Sequence, residues 1–242
     1  MVPVYKAVYW LMVKQKPKAG PPWLKYPELD WSPLTREAEL LFVKKRTIIY
    51  MQNIPNGNVY IVKSGQVKLS VSNVEGVEKI LYIAEEGTLF GEVCAISGEY
   101  NCAQATTLTD TLLYVIKNEN FMDAIHSNME LADNVMRTSI RKIRVLTSRI
   151  ETLTFLNAYD KVVDMLLYLT EEHGVACKNG TRINMKFTQQ EVASLLGTNR
   201  VTIANVFGEL TRQGLIYKAN GYIVVCDPAT LAAAKDSQKD TE

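Results

Sequence analysis

Apolar and polar positions follow a strand-like pattern in the first half of the chain. From Val43 to Ile116 the two kinds of residue tend to alternate, as in Gln66 to Val71, and this period of two is typical of half-buried strands. Turn dipeptides recur about every ten residues between these runs, which indicates an antiparallel sandwich or barrel. These dipeptides are Asn56-Gly57, Ser64-Gly65, Glu75-Gly76 and Glu86-Gly87.

The pattern becomes helical after Asn118. Phe121 to Leu156 is almost free of glycine and proline, which predicts a short helix followed by a long one. Along the long helix a mostly apolar stripe alternates spacings of four and three, as in a coiled-coil seam. The seam residues are Met136, Ile140, Ile143, Thr147, Ile150 and Thr154.

We interpret this seam as the interface of a homodimer, and the alternative is a helix packed on its own domain. Basic residues flank the seam and leave only a narrow apolar stripe, which favours the dimer. The flanking residues are Arg137, Arg141, Lys142, Arg144 and Arg149.

The last third of the chain predicts three helices with small strands. Asn157 and Asp160 are placed to cap a helix that ends before Gly174. Thr188 and Glu191 form a capping box, which marks the start of the next helix. The buried face of the first helix is predicted to contain Val162, Val163, Leu166 and Leu167.

The segment from Phe187 to Phe207 predicts a helix-turn-helix. Ala193 is small where a second helix must cross closely, and Gly197 supplies the positive-φ turn between the helices. Gly214 closes the second helix, and Asn220-Gly221 fits a type I′ turn in a hairpin over Leu215 to Val225. A helix-turn-helix followed by a hairpin is a winged helix.

This motif predicts DNA binding, and a packed helical pair in another kind of domain is the alternative. Ile203 and Val206 face the core, so the other face of the second helix can enter the major groove. Side chains and amides at the helix starts would contact phosphates. The predicted DNA-binding residues are Thr188, Gln189, Gln190, Thr198, Asn199, Arg200, Val201, Thr202 and Asn205.

The remaining segments complete the predicted domain organisation. Residues 14–33 hold five of the eight prolines, so we predict a leader with little regular structure, draped over the domain through Trp23 and Trp31. Ser32 and Pro33 predict the N-cap and first residue of a short helix that continues to about Phe42. We divide the chain into a leader (1–32), a β-rich domain (33–126), a dimerisation helix (127–156), a winged helix-turn-helix (157–228) and a tail (229–242), frayed after Asp236.

Composition adds few constraints. With 242 residues, 47% hydrophobic content and 22% charge, the chain has room for two modest globular domains. The net charge of +1 does not by itself indicate a nucleic-acid ligand, although basic residues exceed acidic ones between Arg182 and Lys218. The four cysteines form no C-x-x-C pair and predict reduced thiols. Residues 1–13 lack a basic flank and are too short to span a bilayer, so we expect a cytoplasmic protein without a membrane partner.

The order of β-roll, long helix and winged helix resembles the family of the cyclic-AMP receptor protein and FNR, bacterial transcription regulators. The resemblance covers about Arg46 to Val225, and its most specific stretches are Tyr60–Gly65, Leu89–Glu92, Phe155–Asn157 and Phe187–Asn205. It implies an α+β fold in which the roll is a double-stranded β-helix like that of cyclic-nucleotide-binding domains. It also implies a homodimer, not an enzyme, that reads a palindrome, meets RNA polymerase and responds allosterically to a small molecule.

Residue matches to this family place an effector site in the roll. Gly91-Glu92 matches the pair that holds the ribose of cyclic AMP, but Asn101 and Cys102 stand where an Arg-Ser pair meets its phosphate. Asparagine cannot supply the charge-assisted bond that a phosphodiester needs, so we expect that cyclic AMP is not the effector. The adenine-reading pair falls at Leu146 and Thr147. An equal alternative to a ligand-binding role is that Glu92 only caps a turn.

Other effectors within the family can also be compared with the residues. The chain lacks the N-terminal cysteine group of the iron–sulfur branch, and its histidines, His126 and His173, lie outside the roll. We therefore predict no metal or resident cofactor, and we exclude a cupin-like metalloenzyme. Two segments, Leu81–Ala84 and Gly98–Thr107, resemble the halorespiration regulators more than the other branches of the family. Those regulators bind chlorinated aromatic acids. Hydrogen bonds to a small aromatic or acidic molecule would then come from Tyr82, Asn101 and Thr147.

Two alternatives to a ligand-gated regulator remain open. Cys94 and Cys102 would serve a thiol-redox sensor if they approach each other, and a regulator without any ligand is the other possibility. For DNA reading, Val201 and Asn205 replace the glutamate and the second arginine of the family's Arg-Glu-x-x-x-Arg pattern. These two changes favour thymine methyl and adenine contacts, which predicts an A·T-rich inverted repeat.

Overall fold

The computed structural model describes residues 23–26 and 28–237. Most of the predicted leader and the end of the predicted tail lie outside the described residues. The described part has the expected α+β architecture: a β-roll, a long helix and a winged helix-turn-helix.

The β-roll is built from two sheets that share one hydrophobic core. One sheet has five strands in the order β1-β6-β5-β8-β3, and the other has four in the order β2-β9-β4-β7. Tyr60, Leu69, Phe90 and Leu113, which come from both sheets, belong to this core. The strands are β1 (Trp23–Leu24), β2 (Glu39–Val43), β3 (Ile48–Tyr50), β4 (Asn58–Ser64), β5 (Val67–Ser72), β6 (Glu78–Ala84), β7 (Leu89–Phe90), β8 (Gln104–Thr107) and β9 (Thr111–Lys117).

The predicted helix from Ser32 to about Phe42 is wrong in its cap and its length. Helix α1 (Ser32–Thr35) has Trp31 at its N-cap position, and the amide of Ser32 donates to Asp30 Oδ1 at 2.8 Å. After a short bend, Glu39–Val43 form strand β2, which pairs along its whole length with β9. A short apolar run is ambiguous between helix and strand, and here the pairing with β9 decides the outcome.

The described part of the predicted leader is integrated into the fold. Strand β1 runs parallel to β6, with Trp23 opposite Ile83. Trp31 is buried, and its Nε1 donates to the carbonyl of Gly87 at 2.8 Å. The two tryptophans anchor the segment as predicted, and the regular structure of its described part before α1 is limited to the two residues of β1. The free edge of β6 supplies the hydrogen bonds that make β1 a strand.

The predicted pair of a short and a long helix is confirmed. Helix α2 (Glu92–Ser97) lies within the roll, and α3 (Asn118–Ser127) and α4 (Met129–Phe155) follow it. The side chain of Asn128 caps α4 by accepting from the amide of Leu131 at 3.1 Å. Helix α4 contacts the roll through a buried face that includes charged residues.

The C-terminal domain is a winged helix. The predicted Asn157 cap is confirmed, since its side chain accepts from the amide of Asp160. Positive φ angles at Asn220 and Gly221 fit the predicted type I′ turn. The elements are α5 (Ala158–His173), β10 (Gly174–Cys177), β11 (Gly180–Ile183), α6 (Gln189–Leu196), α7 (Arg200–Arg212), β12 (Ile216–Ala219), β13 (Tyr222–Val225) and α8 (Pro228–Ser237).

The segment predicted as a tail from residue 229 contains a packed helix. In α8, Leu231 is fully buried, and Lys235 Nζ lies 2.6 Å from Asp164 Oδ1 of α5. The folded part of the domain therefore extends past residue 228. The sequence did not predict this helix because its small residues show little hydrophobic periodicity and because its contacts with α5 are remote in sequence.

The cores of the two domains meet at strand β6. Ile80 and Ile83 of β6, together with Trp23, belong to the same buried cluster as Val162 and Leu166 of the winged helix. The winged-helix domain is thus packed on the roll of its own chain.

Candidate nucleic-acid interface and effector site

Local hydrogen bonds fix the two helices of the helix-turn-helix. Thr188 Oγ1 accepts from the amide of Glu191 at 3.1 Å, and Glu191 Oε2 accepts from the amide of Thr188 at 2.7 Å, so the predicted capping box is confirmed. Asn199 Oδ1 accepts from the amide of Thr202 at 2.8 Å and starts α7. Between the helices, Gly197 has a φ of +68°. This left-handed backbone conformation favours glycine, and an added Cβ would also have to displace the end of the Leu153 side chain, whose Cδ2 would lie 2.1 Å away.

The predicted base-reading residues lie on the outer face of α7. Ile203 and Phe207 are buried on the opposite face, and Val201 is 69% exposed. Arg200 and Asn205 are also exposed, whereas Thr202 is half-buried. This arrangement leaves an arginine, an apolar side chain and an amide for contact with base edges.

The predicted phosphate-contacting residues flank this face but are not equally available. Gln190 is exposed, whereas Gln189 and Thr198 are half-buried. The hydroxyl of Thr188 donates to Glu191 within the capping box, and Asn199 Oδ1 is occupied by its cap. Contacts of these two residues with phosphate therefore depend on backbone amides or on the Asn199 amide group.

Cations line the wing next to α7. The amine of Lys186 lies 4.6 Å from the centroid of the Tyr222 ring, and the guanidinium of Arg182 lies 4.9 Å from the same centroid. Lys218 Nζ lies 5.9 Å from the centroid of the Phe207 ring. The hairpin thus carries positive charge that suits a phosphate backbone.

A buried ion pair joins the roll to the long helix. Lys142 Nζ lies 2.7 Å from Glu92 Oε1, and both side chains are less than a tenth exposed. The same amine is 5.8 Å from the centroid of the Tyr82 ring. The sequence pattern identifies Lys142 only as a flank of the seam and does not predict this burial against the roll. Its place on the buried stripe with Leu131, Val135 and Thr138 is the signal that would have identified it.

Tyrosines surround this ion pair. Burial raises the pKa of Tyr82 well above its usual value, and the charge of Glu92 and the neighbouring Tyr50 and Cys102 raise it further. Burial, with the same Glu92 charge, also raises the pKa of Tyr50. The structure therefore brings together three predicted effector residues, Tyr82, Glu92 and Cys102. Sequence reasoning missed Tyr50 and Lys142.

Two more of the predicted effector residues, Asn101 and Gly91, have features that bear on ligand binding. Asn101 is 2% exposed, and neither its Nδ2 nor Glu92 Oε2 has a hydrogen-bond partner among the described residues. Gly91 has a φ of +86°, and an added Cβ would lie 3.1 Å from the carbonyl oxygen of Asn58. A buried polar atom without a hydrogen-bond partner is costly. Asn101 Nδ2 and Glu92 Oε2 are therefore suited to contact a bound molecule.

Leu146 and Thr147 lie apart from this cluster in the single chain. Leu146 lines a different, largely apolar cavity with Leu81, Leu153 and Gly197. Thr147 is exposed, and its hydroxyl donates to the carbonyl of Ile143 in its own helix. The structure does not bring these two residues to Glu92.

The predicted seam of α4 faces away from the roll. Met136, Ile140, Ile143 and Ile150 are each more than half exposed, and Thr147 is exposed. The opposite face packs on the roll. Four exposed apolar side chains on one helical face form a surface that suits a partner helix.

Arg149 is a second flank of the seam whose burial the sequence did not predict. It is buried, and its guanidinium donates to the carbonyls of Ile80 in the roll and Leu195 in α6. Burial lowers its pKa to about 10. Lys161 Nζ donates to the carbonyl of Leu153 at 3.3 Å close by. Arg149 therefore connects the long helix, the roll and the helix-turn-helix.

The described residues hold neither a metal-binding group nor a membrane-spanning helix. Within residues 23–26 and 28–237, histidine, cysteine and carboxylate side chains form no group of three or more suited to a metal ion. In the same part of the chain no helix has both the length and the apolar character needed to cross a bilayer.

Family models match both domains. Residues 40–128 match the cyclic nucleotide-binding domain, and residues 160–234 match the Crp-like helix-turn-helix domain. The second match includes most of α8, in agreement with its packing on α5.

Known regulators are similar over most of the chain. The global nitrogen regulator of Nostoc sp. is 28% identical over 79% of this chain and 86% of its own length. The cyclic AMP receptor protein of Thermus thermophilus is 26% identical over 79% of this chain and 85% of its own. A solved CRP/FNR-family transcriptional regulator, also from Thermus thermophilus, has a TM-score of 0.69 and 25% identity, covering 81% of this chain and 97% of that one.

These matches agree with the order of domains and with the exposed reading face of α7. The relatives are named as regulators, and a relative in Mycobacterium tuberculosis is named as a global transcriptional regulator. The chain belongs to the cyclic-AMP receptor protein and FNR family of transcription regulators and binds DNA through its Crp-like helix-turn-helix.

Proposed function

We propose that the protein is a homodimeric regulator that binds a palindromic, A·T-rich DNA site under the control of a small molecule bound in the roll. The observation that carries this proposal is the outward face of α7, where Arg200, Val201 and Asn205 are exposed beside a basic wing. RNA polymerase is the further partner that we propose for the DNA-bound dimer.

The exposed seam of α4 supports the dimer. A partner helix would cover Met136, Ile140, Ile143 and Ile150, whose exposed apolar surface is otherwise unfavourable in water. Parallel pairing of two long helices would place one recognition helix on each side of a two-fold axis. Two such helices reach successive major grooves on one face of DNA, so the half-sites would lie about one helical turn apart.

The residues of α7 support an A·T-rich half-site. Valine cannot accept a hydrogen bond from cytosine N4, but its methyl groups suit the methyl group of thymine. The amide of Asn205 pairs best with adenine N6 and N7, and Arg200 can contact guanine or a phosphate. We therefore propose preference for A·T at the positions that Val201 and Asn205 contact.

The buried cluster around Glu92 supports an effector site in the roll. Tyr82 and Asn101 offer hydrogen-bonding groups, and the stacked rings of Tyr50, Tyr60 and Phe90 lie beside them. This combination suits a small aromatic or acidic molecule. Binding would compete with or reorganise the Glu92–Lys142 pair, and Lys142 would pass that change to the long helix.

Cyclic AMP does not fit this site well. Relatives of this chain are named as cyclic-AMP-activated regulators, yet Glu92 is paired with Lys142 here and a buried asparagine stands at the expected phosphate position. Titration calorimetry of the purified protein with cyclic AMP should give no heat of binding at micromolar concentration. A micromolar or tighter complex would contradict this part of the proposal.

Identification of the effector requires a search that assumes no candidate. Native mass spectrometry of freshly purified protein should show the mass of a dimer, with an added small molecule of constant mass. A dimer without added mass from several growth conditions would favour the regulator that needs no ligand. A thiol-redox sensor that uses Cys94 and Cys102 is the other alternative.

A further inference from the structure

A segment before the roll touches all three parts of the molecule. We call the described residues 23–26 and 28–31 the N-terminal strap. On the roll, the carbonyl of Leu24 accepts from the amide of Glu85 at 2.8 Å and from Thr88 Oγ1 at 2.6 Å. The amide of Tyr26 donates to the carbonyl of Glu86 at 3.0 Å. These bonds hold the strap against the turn that follows β6, and the pairing of β1 with β6 holds its first two residues along the edge of the sheet.

The strap also contacts the long helix. The guanidinium of Arg141 lies 4.9 Å from the centroid of the Tyr26 ring and forms an ion pair with Glu28. Asn134 Nδ2 donates to the carbonyl of Asp30 at 3.1 Å. Movement of α4 relative to the roll would therefore pull on the strap at two places.

Trp23 carries the strap into the DNA-binding domain. Its ring stacks on Tyr168 of α5 with centroids 5.5 Å apart, and it meets Phe187 edge-on at 6.2 Å. Phe187 directly precedes Thr188, the cap of α6. Trp23 is 6% exposed, and its buried Nε1 has no hydrogen-bond partner among the described residues. The contact therefore depends on the ring, not on its N–H group.

We propose that Trp23 is a positioning residue for DNA binding, and that the strap holds the helix-turn-helix in a defined orientation on the roll. Trp23 is three residues from Tyr26, which the long helix contacts. The strap thus provides a short connection from α4 to the start of α6. This inference goes beyond the effector proposal and rests on the DNA-binding role of the C-terminal domain.

Trp31 provides a matched control. It is 5% exposed, nearly the same as Trp23, but it packs with Val59, Leu89 and Phe121 of the roll and α3. Its Nε1 donates to Gly87, so its replacement also costs a hydrogen bond. Loss of either ring should destabilise the protein, because both remove large buried apolar surface. Only the loss of Trp23 should disturb the DNA-binding domain.

The test compares Trp23→Ala, Trp23→Phe and Trp31→Ala in two measurements. The first is affinity for a duplex selected by the wild-type protein from random DNA. Trp23→Ala should weaken binding about tenfold, the size expected for a lost coupling contact. Trp23→Phe keeps an aromatic ring and loses no hydrogen bond, so it should stay within about threefold of wild type, as should Trp31→Ala.

The second measurement is hydrogen exchange, which needs no DNA. Trp23→Ala should accelerate exchange in α5 around Tyr168 and at the start of α6, whereas Trp31→Ala should accelerate it only in the roll, α3 and the first turns of α4. If Trp23→Ala does not fold, Trp23→Leu replaces it. The proposal is overturned by equal effects of the two alanine variants, by unchanged or tighter DNA binding of the Trp23 variant, or by unchanged exchange in α5.

Discussion

Lys142 of the long helix and Glu92 of the roll form an ion pair with 2.7 Å between Nζ and Oε1, and both side chains are almost fully buried. Removing two charges from water is costly, and their attraction only partly compensates for that cost. The pair therefore specifies where α4 sits on the roll more than it stabilises the fold. Because the net free energy of the pair is small, a ligand needs only a modest affinity for Glu92 or Lys142 to change the position of α4 on the roll.

Replacement of Lys142 by methionine should destabilise the protein by about 3 kcal/mol, because it leaves the Glu92 carboxylate buried without its cation. Urea denaturation of the purified protein measures this loss. The matched control is Arg137→Met, which removes an exposed pair with Asp133 on the same helix and should cost less than about 0.5 kcal/mol. The double variant Lys142→Met with Glu92→Leu should recover most of the loss. Equal stabilities of Lys142→Met and Arg137→Met would refute this interpretation of the pair.

The seam of α4 predicts that Ile143→Asp is monomeric. Dimerisation would bury an unpaired carboxylate from each chain at the centre of an apolar interface, at a cost of several kcal/mol. Sedimentation velocity at micromolar concentration should give the mass of one chain for this variant and of two for wild type. Ser148→Asp adds the same charge on the same helix away from the seam and should remain dimeric. A dimeric Ile143→Asp would show that the interface lies elsewhere.

The cysteines should divide into two classes of reactivity. Cys102, Cys177 and Cys226 are exposed, whereas Cys94 is buried with its Sγ accepting from the amide of Asn56 at 3.4 Å. Alkylation followed by peptide mass mapping should modify the first three within minutes and Cys94 slowly. Mild oxidation should form no disulfide between Cys94 and Cys102. Such a disulfide, if it also changed DNA affinity, would support the redox sensor instead.

The identity of the base-reading residues predicts a change of DNA specificity. Val201→Glu together with Asn205→Arg restores groups that contact cytosine and guanine, and should shift the selected half-site toward G·C by about 1–3 kcal/mol at each contacted pair. Selection from a random DNA library with each protein measures the shift. The single variants serve as controls, since each should alter one base pair only. An unchanged consensus in the double variant would contradict the roles assigned to these residues of α7.

Much of the fold and of the DNA-binding site could be predicted because local signals determine them. The capping box of Thr188 and Glu191, the turn at Gly197 and the Asn220-Gly221 hairpin are short-range features, and the structure contains each of them. By contrast, β2 and β1 depend on pairing with β9 and β6, which are remote in sequence. Local propensity cannot show such pairing.

The buried region around Glu92 and Arg149 was harder to predict for a related reason. Lys142 and Arg149 are charged, so their residue type favours solvent, yet their partners in the roll and in α6 allow burial. Their helical spacing from the other buried residues of α4 indicates that they are buried, although their charge suggests the opposite. Tyr50 lies on a short strand with no motif, and only the closure of the roll brings it near Glu92.

DNA selection with the wild-type protein tests the central claim most directly. Purified protein is incubated with a library of random duplexes at physiological salt, and the bound sequences are determined after several rounds. We predict an inverted repeat, rich in A·T at the inner half-site positions, with half-site centres about one helical turn apart. Enrichment of a single unrepeated half-site, of a G·C-rich repeat, or of no sequence at all would contradict that claim.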